Sequence, residues 1–229
     1  MPNLTLAVLI VEIVFMLVYL LFYYRLGSKT VLLLKVATSL GFVIVGFINL
    51  KEAEIPQIAN TVLLGLVLGL LGDLVLGLRR VYRNRKKEFF YGGLLLFFIG
   101  HVVYMIAFFQ LKSGSLLLSI LMAFVLLILV YTVSVKSNID YKQAKIPVIV
   151  YMAASTFLLA LVFMSLISQY TLLKLVIFVG AFAFVFSDFL LSFLYFKKLE
   201  RSKIRFIKAL NIMTYYLGQT LFALSILLM

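Results

Sequence analysis

Eight runs of apolar residues divide the chain, and each is long enough to be a helix in its own right. They fall at about residues 4–23, 30–50, 57–78, 89–111, 115–135, 146–168, 171–196 and 207–229. Crossing roughly 30 Å of hydrocarbon takes about 20 such residues in helical form. In lipid a spanning segment must satisfy its own backbone polar groups, which a helix does. The pattern therefore predicts an all-α protein, a polytopic bundle of eight transmembrane helices. The links are short and polar, and none is long or Pro/Gly/Ser-rich enough to divide domains, so residues 1–229 read as one transmembrane domain. Pro2, Pro56 and Pro147 all stand at span ends, and no discontinuous helix is indicated.

Composition supports the same solvent. The chain is 65% hydrophobic with a mean hydropathy of +1.20, against roughly 45–50% apolar usage in soluble domains. The first apolar run lacks a basic leader and a small-residue cleavage site, and reads as a retained helix. The chain has no cysteine, which excludes disulfide and thiolate chemistry. Together with Lys/Ile/Phe-rich usage this suggests a bacterial protein of the plasma membrane.

The basic residues give the expected orientation. Eighteen of the 21 Lys and Arg belong to the links after spans one, three, five and seven, counting Lys35, which can snorkel to that side. The other side has Lys51, Lys112 and Lys174. By the positive-inside bias the basic links face the cytoplasm and both termini lie outside. The net charge of +13 is then a topological signal with an attraction to anionic headgroups. Nucleic acid is not an expected partner, because the basic loops are short and carry no stacking platform.

Polar residues interrupt the spans in a recurring way. Gly65, Gly69, Gly72, Asp73 and Leu76 stand at i, i+4, i+7, i+8 and i+11. Gly180, Phe184, Ser187, Asp188 and Leu191 repeat those offsets, as do Gly93, Phe97, Gly100, His101 and Tyr104. Each set is one face of a helix. Asp73 and Asp188 are 115 residues apart, and each precedes a basic link followed by a span with a polar patch, Gly100–Tyr104 in one case and Tyr215–Gln219 in the other. These features imply a duplicated four-helix unit, about residues 1–112 and 113–229, in parallel orientation. Such repeats place sites near mid-membrane at the repeat interface. Independent small-residue faces for close helix packing are the alternative.

An ionised side chain at the bilayer centre costs roughly 2.5–3.5 kcal/mol, so such groups face inward and mark function. At about 1.5 Å per residue from the nearest basic link, Asp73 lies about 9 Å deep, Asp188 and Tyr216 about 12–13 Å, and His101 and Glu12 about 20 Å. Asp73 and Asp188 are the candidate catalytic pair. His101, Tyr104, Ser187, Tyr215, Tyr216 and Gln219 are candidate substrate-binding or supporting groups. Glu12, with no counterpart in span five, reads as a structural or snorkelling partner. Helix-to-helix hydrogen bonding is the competing role for the tyrosines, Gln219 and His101. Two carboxyls in one apolar pocket can hold different protonation states, the arrangement of acid and base. The expected separation is within about 10 Å, which leaves room for a water. A Gly-x-Ser-x-Gly nucleophile elbow is absent. With a single histidine in the chain, no metal and no cofactor is assigned.

At these residues the sequence resembles the YhhN family of integral membrane proteins. The blocks are Gly72-Asp73-x-x-Leu76, Gly100-His101-x-x-Tyr104, Gly180-Ala181 through Phe186-Ser187-Asp188-x-x-Leu191, and Tyr215-Tyr216-x-x-Gln219-x-Leu221. The resemblance implies a lysoplasmalogenase-like hydrolase. Its substrate would be a lysophospholipid whose vinyl-ether bond is cleaved to a fatty aldehyde and a glycerophospho-ethanolamine or -choline. A proton-coupled transporter of lipid or small solute, with the same carboxylates as coupling groups, is the alternative reading.

Overall fold

The computed structural model describes residues 2–229. Among them are eight helices long and apolar enough to cross a membrane, as the hydropathy pattern predicts: α1 (Pro2–Phe22), α2 (Ser28–Asn49), α3 (Pro56–Val81), α4 (Lys86–Gln110), α5 (Leu116–Lys136), α6 (Lys145–Ser168), α7 (Leu172–Phe196) and α8 (Arg201–Ser225). The protein is a multi-pass membrane protein. Four short 3-10 turns, at Leu50–Glu52, Arg83–Arg85, Lys142–Ala144 and Ile226–Leu228, complete the elements.

Two helix ends run well past the apolar runs that predict them. α3 runs on through Arg79 and Arg80, and α8 begins at Arg201, six residues before its apolar run. Arg and Lys are good helix formers, so the backbone hydrogen-bond ladder continues where the hydrocarbon-compatible sequence has stopped. Other ends are set by caps. Pro56 starts α3 at the position where a missing N–H costs nothing. Ser115 and Thr171 cap α5 and α7, their hydroxyls accepting from Leu118 N (3.4 Å) and Lys174 N (3.2 Å).

The chain forms two compact units. Unit 1 is Met1–Ala107 with Gln219–Met229, and unit 2 is Phe108–Gly218. In unit 1, α2 packs against both α1 and α3. The last turn of α8 and the 3-10 turn after it are built into its core: Phe222, Ala223 and Ile226 are fully buried, and Asn49 Nδ2 donates to Ala223 O at 3.1 Å. In unit 2, α6 packs against both α5 and α7. α1 and α5 bury the smallest share of their length, 17% and 6%, which suits helices whose outer faces meet lipid. The 115-residue interval recurs in the element bounds, for α8 begins and ends 115 residues after α4, and α7 ends 115 residues after α3.

Candidate functional site

The small residues of α3 make room for side chains of other helices. Gly65, Gly69, Gly72, Asp73 and Leu76 are all buried on one face. A β-carbon at position 65 would collide with the Tyr104 ring, one at 69 would sit 3.0 Å from Gln219 Nε2, and one at 72 would sit 3.0 Å from the Phe97 ring. Glycine at these positions is therefore a requirement of close approach rather than of backbone conformation.

Asp73 is 1% exposed. Its Oδ1 forms an ion pair with Lys35 Nζ at 2.7 Å, and Oδ2 accepts from Ser39 Oγ at 2.6 Å. Lys35 Nζ also donates to the Asp73 carbonyl at 3.3 Å. Lys35 and Ser39 are one turn apart on α2, so a single face of that helix carries both partners. Lys35 thus turns inward to Asp73 rather than snorkelling to the surface as the sequence suggests. The reason is electrostatic: a buried carboxylate is costly unless paired.

One and two turns along α3 from Asp73, Gln219 and Tyr104 join each other. Tyr104 OH donates to Gln219 Oε1 at 2.7 Å, and the Tyr104 ring lies 4.5 Å from that of Phe222. This bond fixes the amide orientation and leaves Nε2, a buried donor, without a partner among the described residues. His101, fully buried, places Nδ1 2.8 Å from the Phe97 carbonyl four residues earlier. A carbonyl only accepts, so Nδ1 carries hydrogen, and a neutral ring then offers Nε2 as an acceptor. Glu12, 2% exposed, accepts from Thr220 Oγ1 at 2.7 Å through Oε1, while Oε2 has no partner among the described residues. Gly41 lets it lie against α2, since a β-carbon there would be 2.7 Å from the Glu12 side chain.

Unit 2 contains the other aspartate. Asp188 is half-buried. Tyr151 OH donates to its Oδ2 at 2.8 Å, and Ser155 Oγ approaches the same atom at 3.5 Å. Tyr151 and Ser155 are again one turn apart, on α6, and they stand 116 residues after Lys35 and Ser39. Ser187, adjacent in sequence, points elsewhere. It is clamped to α8, Oγ donating to Asn211 O at 3.0 Å, while Asn211 Nδ2 donates to Ser187 O at 3.0 Å and to Ser187 Oγ at 2.8 Å. Lys208 Nζ donates to Asn211 Oδ1 at 3.2 Å. The Tyr215 ring meets those of Phe184 (5.5 Å) and Tyr216 (5.1 Å), and both tyrosines are buried. Close approach recurs here, since a β-carbon at Gly218 would be 2.8 Å from the Gly180 carbonyl.

The candidate residues thus divide evenly. Asp73, His101, Tyr104 and Gln219 gather in unit 1; Ser187, Asp188, Tyr215 and Tyr216 gather in unit 2. Lys35, Ser39, Tyr151, Ser155 and Asn211 are missing from the sequence-based set. The signal for four of them is the i, i+4 spacing of polar residues on the helix before each aspartate, repeated at nearly the same interval as the aspartates. Among the described residues, no three His, Asp or Glu side chains come together as metal ligands.

Neither a curated protein nor a solved structure matches the chain. The YhhN family matches over residues 30–226, nearly the whole chain and all of the four blocks above. The protein therefore belongs to the YhhN family.

Proposed function

We propose that the protein is a membrane hydrolase that cleaves the vinyl-ether bond of lysoplasmalogens by aspartate acid/base catalysis. One observation supports this above the others. Each aspartate is held by an i, i+4 pair on the preceding helix, with a cation and a hydroxyl at Asp73 and two hydroxyls at Asp188. That difference suits two carboxyl groups with two jobs.

The reaction needs a proton on the outer alkene carbon, which makes the ether carbon an oxocarbenium ion. Asp188 gives that proton. Water adds its oxygen to the cation and yields its proton to Asp73, which Lys35 and Ser39 hold in place. An oxocarbenium ion is so electrophilic that orienting the water is most of the task. The hemiacetal then collapses: its hydroxyl proton goes to Asp188, the C–O bond to glycerol breaks, and the glycerol oxygen takes the proton held by Asp73, which returns both carboxyls to their starting states. The products are a fatty aldehyde and a glycerophospho-ethanolamine or -choline, with one water consumed. The unpaired Nε2 of Gln219 is a donor suited to a glycerol oxygen, and Tyr104 fixes its direction. Both termini lie outside, and the basic links, carrying the phosphate-binding residues, lie in the cytoplasm of a bacterial cell. Cysteines placed at positions 84 and 202 then label from the cytoplasmic side alone.

The test is product analysis with a 1-alkenyl lysophospholipid and its saturated 1-alkyl analogue. Aldehyde is expected from the first and nothing from the second, which has no alkene carbon to protonate. Absence of aldehyde with folded, lipid-reconstituted protein removes this reading.

Glu12 favours a second reading. It is a third carboxyl within the spans, itself buried, and its Oε2 has no partner among the described residues. A proton-coupled transporter of lipid or small solute would use such a group. Uptake driven by a pH gradient into proteoliposomes, abolished by Glu12→Gln, would select that reading over hydrolysis.

A further inference from the structure

The end of unit 2 remote from Asp188 carries a cation with no counter-ion among the described residues. Lys174, in the first turn of α7, is 8% exposed. Its Nζ donates to Ser113 Oγ at 2.7 Å and to Gln169 Oε1 at 3.0 Å. An ammonium has three N–H bonds, so one remains after these neutral acceptors. The nearby polar groups are themselves ordered: Ser113 Oγ donates to Ser165 O at 3.0 Å, and Ser165 Oγ to Leu111 O at 3.3 Å. A small cavity adjoins the lysine, lined by Phe108, Leu111, Val162, Ser165, Lys174 and Ile177.

A covered cation in apolar surroundings is expensive unless an anion answers it, and unit 2 has none to offer. Its three carboxylates are Asp140, Asp188 and Glu200. Asp188 is fourteen residues along α7 from Lys174, about 21 Å by helical rise. Asp140 N bonds the carbonyl of Phe196, the far end of α7, and Glu200 follows that end in sequence. The other charged side chain of this turn is positive as well. Lys112 folds back onto the same turn, its Nζ donating to Gly114 O at 2.9 Å. The capped N-termini of α5 and α7 begin within three residues of Ser113 and of Lys174 respectively, and helix N-termini favour negative charge. Gly114 holds the turn in place: its φ of +89° and its packing on Ser168 admit no side chain.

We propose that this end of unit 2 is a binding site for a phosphate group, carried by an anionic phospholipid at the membrane surface, with Lys174 as its primary ligand and Lys112 as its second cation. The site is separate from the aspartates and does not depend on the activity proposed for them. Phosphate accepts charge-assisted hydrogen bonds from an ammonium well.

The experiment uses full-length protein in a non-ionic detergent, titrated with phosphatidylglycerol, phosphatidylcholine or inorganic phosphate. Apparent affinity is read from the rise in thermal midpoint, which follows ligand concentration. Wild type should bind phosphatidylglycerol about tenfold more tightly than Lys174→Met, the scale of one hydrogen bond to a charged group, and Lys174→Arg should restore most of the difference. The phosphatidylcholine response should be the same in both proteins. If inorganic phosphate reproduces the Lys174-dependent shift, the phosphate group itself is the determinant; if it does not, the lipid around it is needed. Equal affinity for phosphatidylglycerol in wild type and Lys174→Met overturns the proposal. Should the Met variant not fold, Lys174→Gln, which retains a donor toward Ser113 and Gln169, carries the same comparison.

Discussion

Asp73 and Asp188 stand at the same offset on α3 and α7, each eight residues before the helix's last, and are supported in two ways. Each lies on a helix whose face of small residues admits its neighbours, and each takes its partners from residues one turn apart on the helix before it. At Asp73 those residues are Lys35 and Ser39, and the carboxylate is 1% exposed. At Asp188 they are Tyr151 and Ser155, and the side chain is half-buried. The lesson is that the position of an acid and its chemical character are set separately. The helix carrying the aspartate determines where it stands, and the adjoining helix determines whether it meets a charge or a hydroxyl.

The largest effect should come from breaking the charged support. Lys35→Met leaves Asp73 buried and ionised without its partner, a change that typically costs about 3–5 kcal/mol. Chemical denaturation of the reconstituted protein should register it, and the double variant Lys35→Met/Asp73→Asn should recover most of the loss. If the single variant is as stable as wild type, the Lys35–Asp73 pair is not an ion pair in the membrane. Tyr151→Phe, the corresponding change in unit 2, should cost about 1 kcal/mol, since it removes one hydrogen bond and leaves no isolated charge.

Next come the carboxyls themselves. Asp188→Asn and Asp73→Asn keep the side-chain volume and remove the acid and base. Each should lower turnover of a 1-alkenyl lysophospholipid by at least about 100-fold, the lower range for a positioned proton-transfer group. Expression and membrane insertion should persist, because a neutral amide is cheaper to bury than a charge and Lys35, freed of Asp73, has a stem long enough to reach the polar side. Near-normal turnover by folded Asp188→Asn would separate Asp188 from the chemistry and strengthen the transporter reading.

Much of this was legible before any coordinates. Twenty-residue apolar runs identify helices because lipid leaves the backbone no other choice, and all eight are present. The helix ends were less legible, because hydropathy reports where the hydrocarbon stops and not where the backbone ladder does; Arg201 begins α8 inside a stretch that reads as a loop. At the site, the offsets along α3 put Asp73 on its buried small-residue face, whereas on α7 Gly180, Phe184 and Ser187 meet α8 and Asp188 meets Tyr151 and Ser155 of α6. Lys35 and Tyr151 are marked in the sequence only by their one-turn spacing from Ser39 and Ser155; that they reach aspartates 38 and 37 residues away is decided by tertiary contact. Ser187 lies beside Asp188 in sequence but is turned to Asn211 by the 100° step between helical neighbours.

A smaller effect should distinguish the two glycines that admit the polar pair of unit 1. Gly65→Ala drives a β-carbon into the Tyr104 ring, a bulky group held between Gly65 and Phe222, whereas Gly69→Ala presses only on the terminal amide of Gln219 at 3.0 Å. The first should destabilise by about 1–3 kcal/mol, as overpacking does. The second should leave folding nearly unchanged and raise KM for the lysolipid severalfold, because the displaced group is the donor proposed to meet the glycerol oxygen.

The finest comparison lies within the support of Asp188. Tyr151 OH and Ser155 Oγ reach the same carboxyl oxygen, at 2.8 Å and 3.5 Å. A hydrogen bond weakens steeply as it lengthens, and 3.5 Å is at the margin for one between oxygens. If the hydroxyls hold Asp188 in its working orientation, turnover should follow these distances. Tyr151→Phe should lower kcat by about tenfold with little change in KM, and Ser155→Ala should stay within about twofold of wild type. The double variant should then match Tyr151→Phe alone, since the weaker contact has nothing left to add. A larger loss from Ser155→Ala than from Tyr151→Phe would reverse the ranking. It would mean that the serine, and not the tyrosine, directs the carboxyl toward the substrate.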